Sequence, residues 1–225
     1  MMVLRKNAKL TEEHADKAIK RALGLLLGMD MEPKKYAEGV DFRLFYHGFR
    51  HTSDHVLPAF EAIAEKENLD EEEVILGKHA AGFHDTGFLF QYLANESIGA
   101  SLAEGYMLTW PLPYTRGHIE IVRDAIQNTD MKNPPQTKVA AVLRDADLSS
   151  LGHPDFLSTS EALKIESRLH PESPMHEASL DDQVWATSQL KFISGFHDWF
   201  TDGARQLYQE QKEKNIAELR EYHGL

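Results

Sequence analysis

Cysteine is absent from the 225 residues. There is then no disulfide framework, no thiolate nucleophile and no Cys-based zinc site, and any metal must be held by His, Asp or Glu. Basic residues are scarce: 24 Lys and Arg stand against 36 Asp and Glu, for a formal charge of −12 and a pI near 5.4. A surface that coats nucleic acid needs clustered cations to displace counterions from phosphates, so none is expected; a local basic pocket for one phosphate is compatible with this balance. No apolar run reaches the roughly 18 residues of a membrane-spanning helix, so no membrane association is expected. The start, MMVLRKNAKLTEEH, lacks the apolar stretch of a signal peptide. These two absences point to the cytoplasm. Alternating β-branched strands are missing, as is a glycine-rich phosphate loop behind an apolar run. No repeat of fixed period and no low-complexity linker interrupts the chain. With 42% hydrophobic and 27% charged residues, residues 1–225 read as one all-α domain.

What is present is helix after helix. Residues 11–28 place Ala15, Ala18, Ile19, Ala22, Leu25 and Leu26 at helical spacing, with Thr11 to cap the start and Gly28 to close the end. A turn-like stretch around 33–41 precedes a helix over about 52–66, with Val56, Ala59, Phe60 and Ile63 inward. Asp70 and Glu73 have capping-box spacing and open a helix carrying Val74, Ile75, Ala80, Ala81 and Phe83. Further helices are expected over about 97–108, stopped by the WPLP of 110–113, and over 118–128, 137–147 and 154–169, the last with weak periodicity. Residues 181–222 read as one long helix or two broken around Gly195 and Gly203. Residues 1–30 and 155–225 are expected as helical additions to a central bundle.

Twelve histidines are unevenly informative. His14, His170, His176 and His223 sit in polar stretches and read as solvent-facing. His79 lies five residues before His84, about 140° round a helix, and reads as structural. His197, in GFHDWF, reads as core packing. In YHGFRHTSDHV, 46–56, His51 and His55 stand at i and i+4, the spacing that points two imidazoles at one ion. A zincin would carry Glu directly after the first His; here Thr52 stands there, which excludes that reading. His47 belongs to the approach to this helix. In HAAGFHDTGF, 79–88, His84 and Asp85 are adjacent, about 100° apart on a helix, and a helix end relaxed by Gly87 lets both turn towards one ion. In VLRDADLSSLG, 142–152, Asp145 and Asp147 are about 200° apart, so one of them at most faces a given site.

In order, these elements resemble the H…HD…D signature of the HD-domain metal-dependent phosphohydrolase superfamily, with His51, His84, Asp85 and Asp147 at the matching positions. YHGFRH resembles the YHN..H element of the superfamily's cyclic-nucleotide phosphodiesterases. DADLSSLG and NESIGASLA resemble a bacterial group of small predicted phosphohydrolases. The resemblance spans about residues 40–152. It implies an HD-domain helical bundle with extra N- and C-terminal helices, and a divalent ion (Mn, Fe, Co, Ni, Zn or Mg) held by those four residues. It further implies attack of an ion-activated water on a phosphomonoester, nucleotide or cyclic nucleotide. His47 and Asp85 are the expected catalytic groups, with His47 protonating the leaving oxygen. The implied partner is a small phosphorylated substrate, and a homo-oligomer is compatible with it.

Arg50, Lys78 and Arg144 are candidate phosphate contacts, with plain surface charge as the alternative. Glu96, in the NE element, and Asp145 are candidate substrate or supporting groups. His118 is the only histidine between Asp85 and Asp147. Superfamily members with a full second metal site carry two further histidines in that interval, so an HD oxygenase or a cyclic-di-GMP-type enzyme is not expected. The ED element of the superfamily's alarmone hydrolases is also missing after HDTGF. The competing reading is a non-catalytic HD-like module that binds a metal or ligand.

Overall fold

The structure, a computed structural model, describes residues 9–27, 44–109 and 114–224. Gly28, the turn expected over 33–41 and the stop at 110–113 lie outside the described residues. The described residues form helices and turns and no strand, so the all-α expectation holds.

The bundle is organised around α3 (Glu71–Phe83). It opens on the expected capping box: the Glu73 N–H donates to Asp70 Oδ1 and the Asp70 N–H to Glu73 Oε2, both at 2.9 Å. From Ile75 to Phe83 every residue except Lys78 is buried, the signature of a helix at the centre of a bundle rather than on its face. Around it pack α1 (Glu12–Leu26), α2 (Leu57–Lys66), α4 (Asn95–Thr109), α5 (Arg116–Gln127) and α6 (Lys138–Asp147). Helix α1 buries Ala15, Ala18 and Ala22, small side chains that let its backbone lie close to α3.

The helix expected over 52–66 is regular only from Leu57. Residues His51–Val56 form a π-helical turn that runs straight into α2. Pro58 supplies the reason: it has no N–H for the Asp54 carbonyl, so an α-helical ladder cannot pass through, and the Leu57 N–H reaches back five residues to Thr52 O. Such single wide turns recur where a helix must re-aim side chains.

The C-terminal part adds α7 (Phe156–Leu169), the short α8 (His176–Ser179), α9 (Asp182–Lys191) and α10 (Asp202–His223). Of the two readings of 181–222, the broken one holds: a second π-helical turn, Phe192–Phe196, contains Gly195 and separates α9 from α10. One buried apolar cluster joins residues from α1 to α10. No helix among the described residues is long and apolar enough to cross a membrane.

Three of the four histidines expected in solvent are engaged. His170 is only 2% exposed and stacks on Tyr92 at 4.4 Å. His14 Nδ1 accepts the Thr11 N–H at 3.0 Å, and His176 Nδ1 donates to Ser167 O at 3.1 Å. The His14 contact is a local capping box, whereas the His170 contact is concealed from its polar neighbours because Tyr92 comes from a distant part of the chain. His223 is half-buried at the end of α10.

Gly87 has a different role from the one expected. It lies in the 3-10 turn Thr86–Leu89, and its backbone does not adopt a positive φ. An added Cβ would stand 1.9 Å from the Asn95 carbonyl oxygen, so the residue serves close approach of this turn to the start of α4. Because the obstacle is backbone, Gly87→Ala is expected to destabilise the protein by about 1–3 kcal/mol. Urea unfolding would read this as a lower midpoint at unchanged m-value; an unchanged midpoint would refute it.

Candidate metal centre

Three chain segments meet at one end of α3. Helix α3 finishes at Phe83, a fully buried ring that anchors the end, and His84 and Asp85 follow in the turn it leaves behind. The π-helical turn delivers His51, and the last residue of α6 delivers Asp147. His51, His84 and Asp85 form a buried cluster able to hold a metal ion. Asp147 closes it: each imidazole Nε2 faces both carboxylates. His51 Nε2 stands 2.9 Å from Asp147 Oδ1 and 3.6 Å from Asp85 Oδ2; His84 Nε2 stands 3.2 Å from Asp85 Oδ2 and 3.4 Å from Asp147 Oδ1. Bonds of about 2.1 Å to one ion would put neighbouring ligand atoms about 3.0–3.4 Å apart, which this arrangement matches.

The protonation pattern supports the same reading. His84 Nδ1–H donates to Ala81 O at 2.7 Å, which turns its Nε2 into the cluster. His84 Nε2 and Asp85 Oδ2 are buried atoms with no hydrogen-bond partner. Buried carboxylates this close to imidazole nitrogens call for positive charge between them, which protons on the rings or a bound metal ion can supply. Burial opposes charge on His84, but Asp85 and Asp147 overcome it and raise its pKa well above the ordinary histidine value. Both carboxyls are held below their usual range: burial would raise them, and the facing imidazoles outweigh it. The field thus favours positive charge at the point where the four side chains converge.

The cluster forms part of the wall of a cleft of about 940 Å³, large enough for a nucleotide-sized ligand. His47 lines this cleft, stacked on Phe88 at 4.1 Å, and its Nδ1–H donates to Glu166 Oε1 at 2.5 Å. Burial works against the charged ring, but the Glu166 carboxylate, with Asp85 and Asp147 behind it, raises its pKa to about 9. Glu166 is fully buried and held below the usual carboxylate range, because His47 and the backbone N–H groups of Tyr46 and His47 outweigh its desolvation. The Tyr46 ring packs against His51 at 4.6 Å, tilted by 31°, and its hydroxyl bonds Ser150 Oγ at 3.1 Å, which holds the His51 ring from behind.

The other expected residues divide. Glu96 lines the cleft, and burial raises its pKa. Asp145 points away from the cluster: its carboxylate accepts the Phe200 N–H (3.0 Å), the Thr201 N–H (2.8 Å) and the Thr201 hydroxyl (2.7 Å) and so anchors the start of α10. Arg144 is no phosphate contact. It is 2% exposed and its guanidinium donates to the carbonyls of Asn128, Thr129 and Asn133, clamping the loop whose residues 129–132 border the cleft. Lys78 is also corrected: its ammonium is ion-paired with Glu12 and Glu61 on the α1 and α2 side, outside the cleft. Arg50 is exposed and outside the cleft lining. His55 does not share a partner set with His51 and instead meets His153 and Asp155. His79 and His197 are packed as expected: His79 bonds Ile75 O and Tyr114, and His197 bonds Lys212.

Sequence reasoning missed Glu166, Tyr46 and Tyr92, the last a cleft-lining residue whose hydroxyl donates to Glu166 Oε1 at 3.1 Å. The signal was present in α7, whose inward positions include Ser160, Lys164, Glu166 and Ser167. A helix that buries polar groups beside a cleft gives weak apolar periodicity, and the weakness itself marks it. No protein-family model, curated protein or solved structure matches the chain.

The His47–Glu166 pair makes stability depend on pH. A histidine raised to about 9 in the fold stabilises it fully below its unfolded value of about 6.5, and this contribution is lost as pH rises through 9. Glu166, with a lowered pKa, loses its share only as pH falls through its depressed value. Denaturation across pH 6.5–9 is expected to show a declining component in the wild type that Glu166→Gln abolishes. Identical slopes in the two proteins would refute the pairing.

Proposed function

We propose that this chain is a metal-dependent phosphohydrolase on an HD-type helical bundle, with α1 and the α7–α10 segment as additions, hydrolysing a phosphomonoester, nucleotide or cyclic nucleotide. The observation that carries the reading is the meeting of two imidazole nitrogens and two carboxylate oxygens, 2.9–3.6 Å across each N···O pair, at the wall of a cleft that also contains His47. When bound, a divalent ion supplies the Lewis acidity that acidifies water and draws charge from a phosphoryl oxygen. Imidazole with carboxylate suits Mn, Fe, Co, Ni and Zn, and Mg less well.

The chain's own residues do the rest. His51, His84, Asp85 and Asp147 hold the ion. His47 carries a proton at neutral pH because Glu166 holds it there, and it offers that proton to the leaving oxygen. Phe88, stacked on His47, fixes the plane of the ring and so the direction of the transfer. Lys132 and Lys191, both on the cleft lining, add positive charge that suits a phosphate.

The test is a metal-reconstituted screen over phosphomonoesters, nucleoside mono- and triphosphates and cyclic nucleotides. His84→Ala and Asp147→Asn are expected to lose both metal and turnover. His47→Gln should keep the metal and lose turnover by about 10²–10⁴-fold. Turnover retained in Asp147→Asn sinks the proposal, and a metal-bound protein inert across the whole panel favours a binding module instead.

A further inference from the structure

We propose that His55, His153 and Asp155 form a second, peripheral site for a first-row divalent transition metal, separate from the cleft. One nitrogen of each imidazole and one carboxylate oxygen lie within 4.8 Å of one another. His55 Nε2 stands 3.7 Å from Asp155 Oδ2, too far for a hydrogen bond and close enough for one ion to bridge both atoms. The two imidazole rings are 5.4 Å apart, centre to centre, and inclined at 60°. Two nitrogens and one carboxylate oxygen favour Zn, Ni, Co or Cu over the hard cations Mg and Ca.

The donors are held in place rather than scattered on a mobile surface. His55 rides on the π-helical turn with its Nδ1 enclosed and without a partner, so only Nε2 is offered to a ligand. His153 follows the 3-10 turn Ser149–Gly152, which is pressed onto α10: an added Cβ at Gly152 would stand 2.5 Å from the Tyr208 Cβ. The His153 N–H bonds Ser150 O, its carbonyl accepts Asn215 Nδ2–H at 2.8 Å, and its ring stacks on Tyr208 at 5.5 Å. Asp155 occupies the cap position of α7, where an Asp ordinarily accepts a helix N–H. Its carboxylate makes no such bond and faces His55 instead. A ligand oxygen withheld from capping, beside two imidazoles with fixed backbones, is a site prepared for a cation.

The seam explains how one turn serves two clusters. His51 meets Asp147 at the end of α6, and one turn on, His55 meets the residues that follow the 3-10 turn. An ion at the second site ties the start of α7, the helix of Glu166, to the turn that carries His51. Its occupancy therefore stiffens both walls of the cleft.

Chelator-stripped full-length protein titrated with Co²⁺ tests this, with bound ions counted from the visible absorption and Mg²⁺ as competitor. The wild type is expected to take up two ions per chain, and His84→Ala to keep the peripheral one. His153→Gln and Asp155→Asn, both outside the buried core, should each weaken that ion at least about tenfold, with Mg²⁺ unable to displace it and an unchanged unfolding midpoint showing that each variant stays folded. Failure of the central site alone would leave a single ion that survives His84→Ala and is lost in His153→Gln. The proposal is overturned if no such ion is found, or if His153→Gln and Asp155→Asn both bind it as tightly as the wild type.

Discussion

Two imidazoles and two carboxylates enclosed face to face form the constraint around which this molecule is arranged. Carboxylates taken out of water at such separations depend on positive charge beside them, from protons on the imidazoles or from a metal ion, because each unpaired buried charge costs several kcal/mol. The fold tolerates the arrangement because each ligand is delivered by a rigid segment: His84 and Asp85 by the central helix, Asp147 by the last residue of α6, and His51 by the π-helical turn. Each ring is then held from behind, His84 through Ala81 O and His51 through the packed Tyr46 ring.

The surrounding polar groups extend the same logic outward. Glu166 keeps a proton on His47, Asp145 anchors the start of α10, and Arg144 clamps the loop at the cleft margin. Asp145 and Arg144 are close in sequence to a cluster ligand yet face away from it, so α6 spends one face on the cluster and another on the scaffold. The C-terminal helices are part of the cleft, since α7 lines it with Leu163 and Ser167 and α9 with Val184, Ser188 and Gln189.

Much of this was legible in the residues. The helices came from apolar periodicity and capping signals, and the Asp70–Glu73 box formed as its spacing required. The incompatibility of Asp145 and Asp147 on one face followed from helix geometry alone, and the two carboxylates do point to different partners. Less was legible where a residue's role depends on what lies opposite it. Lys78 and Arg144 are cations whose partners come from distant segments, Glu12 and Glu61 for one and the 128–133 loop for the other. The π-helical turn was legible in principle from Pro58, because the missing N–H is a local fact, but its consequence for the aim of His51 was not.

The sequence by itself determined the helical class, the absence of thiolate ligands and the short set of histidines and carboxylates from which a metal centre could be built. These are properties of spacing and residue type, and they hold whatever the packing. Only the tertiary structure decided which nitrogen met which oxygen, that Glu166 reaches His47 across 119 positions of chain, and that His55 joins His153 and Asp155 rather than His51. Ligand geometry and pKa depend on distances of a few ångströms between segments far apart in the chain, and packing alone sets those distances.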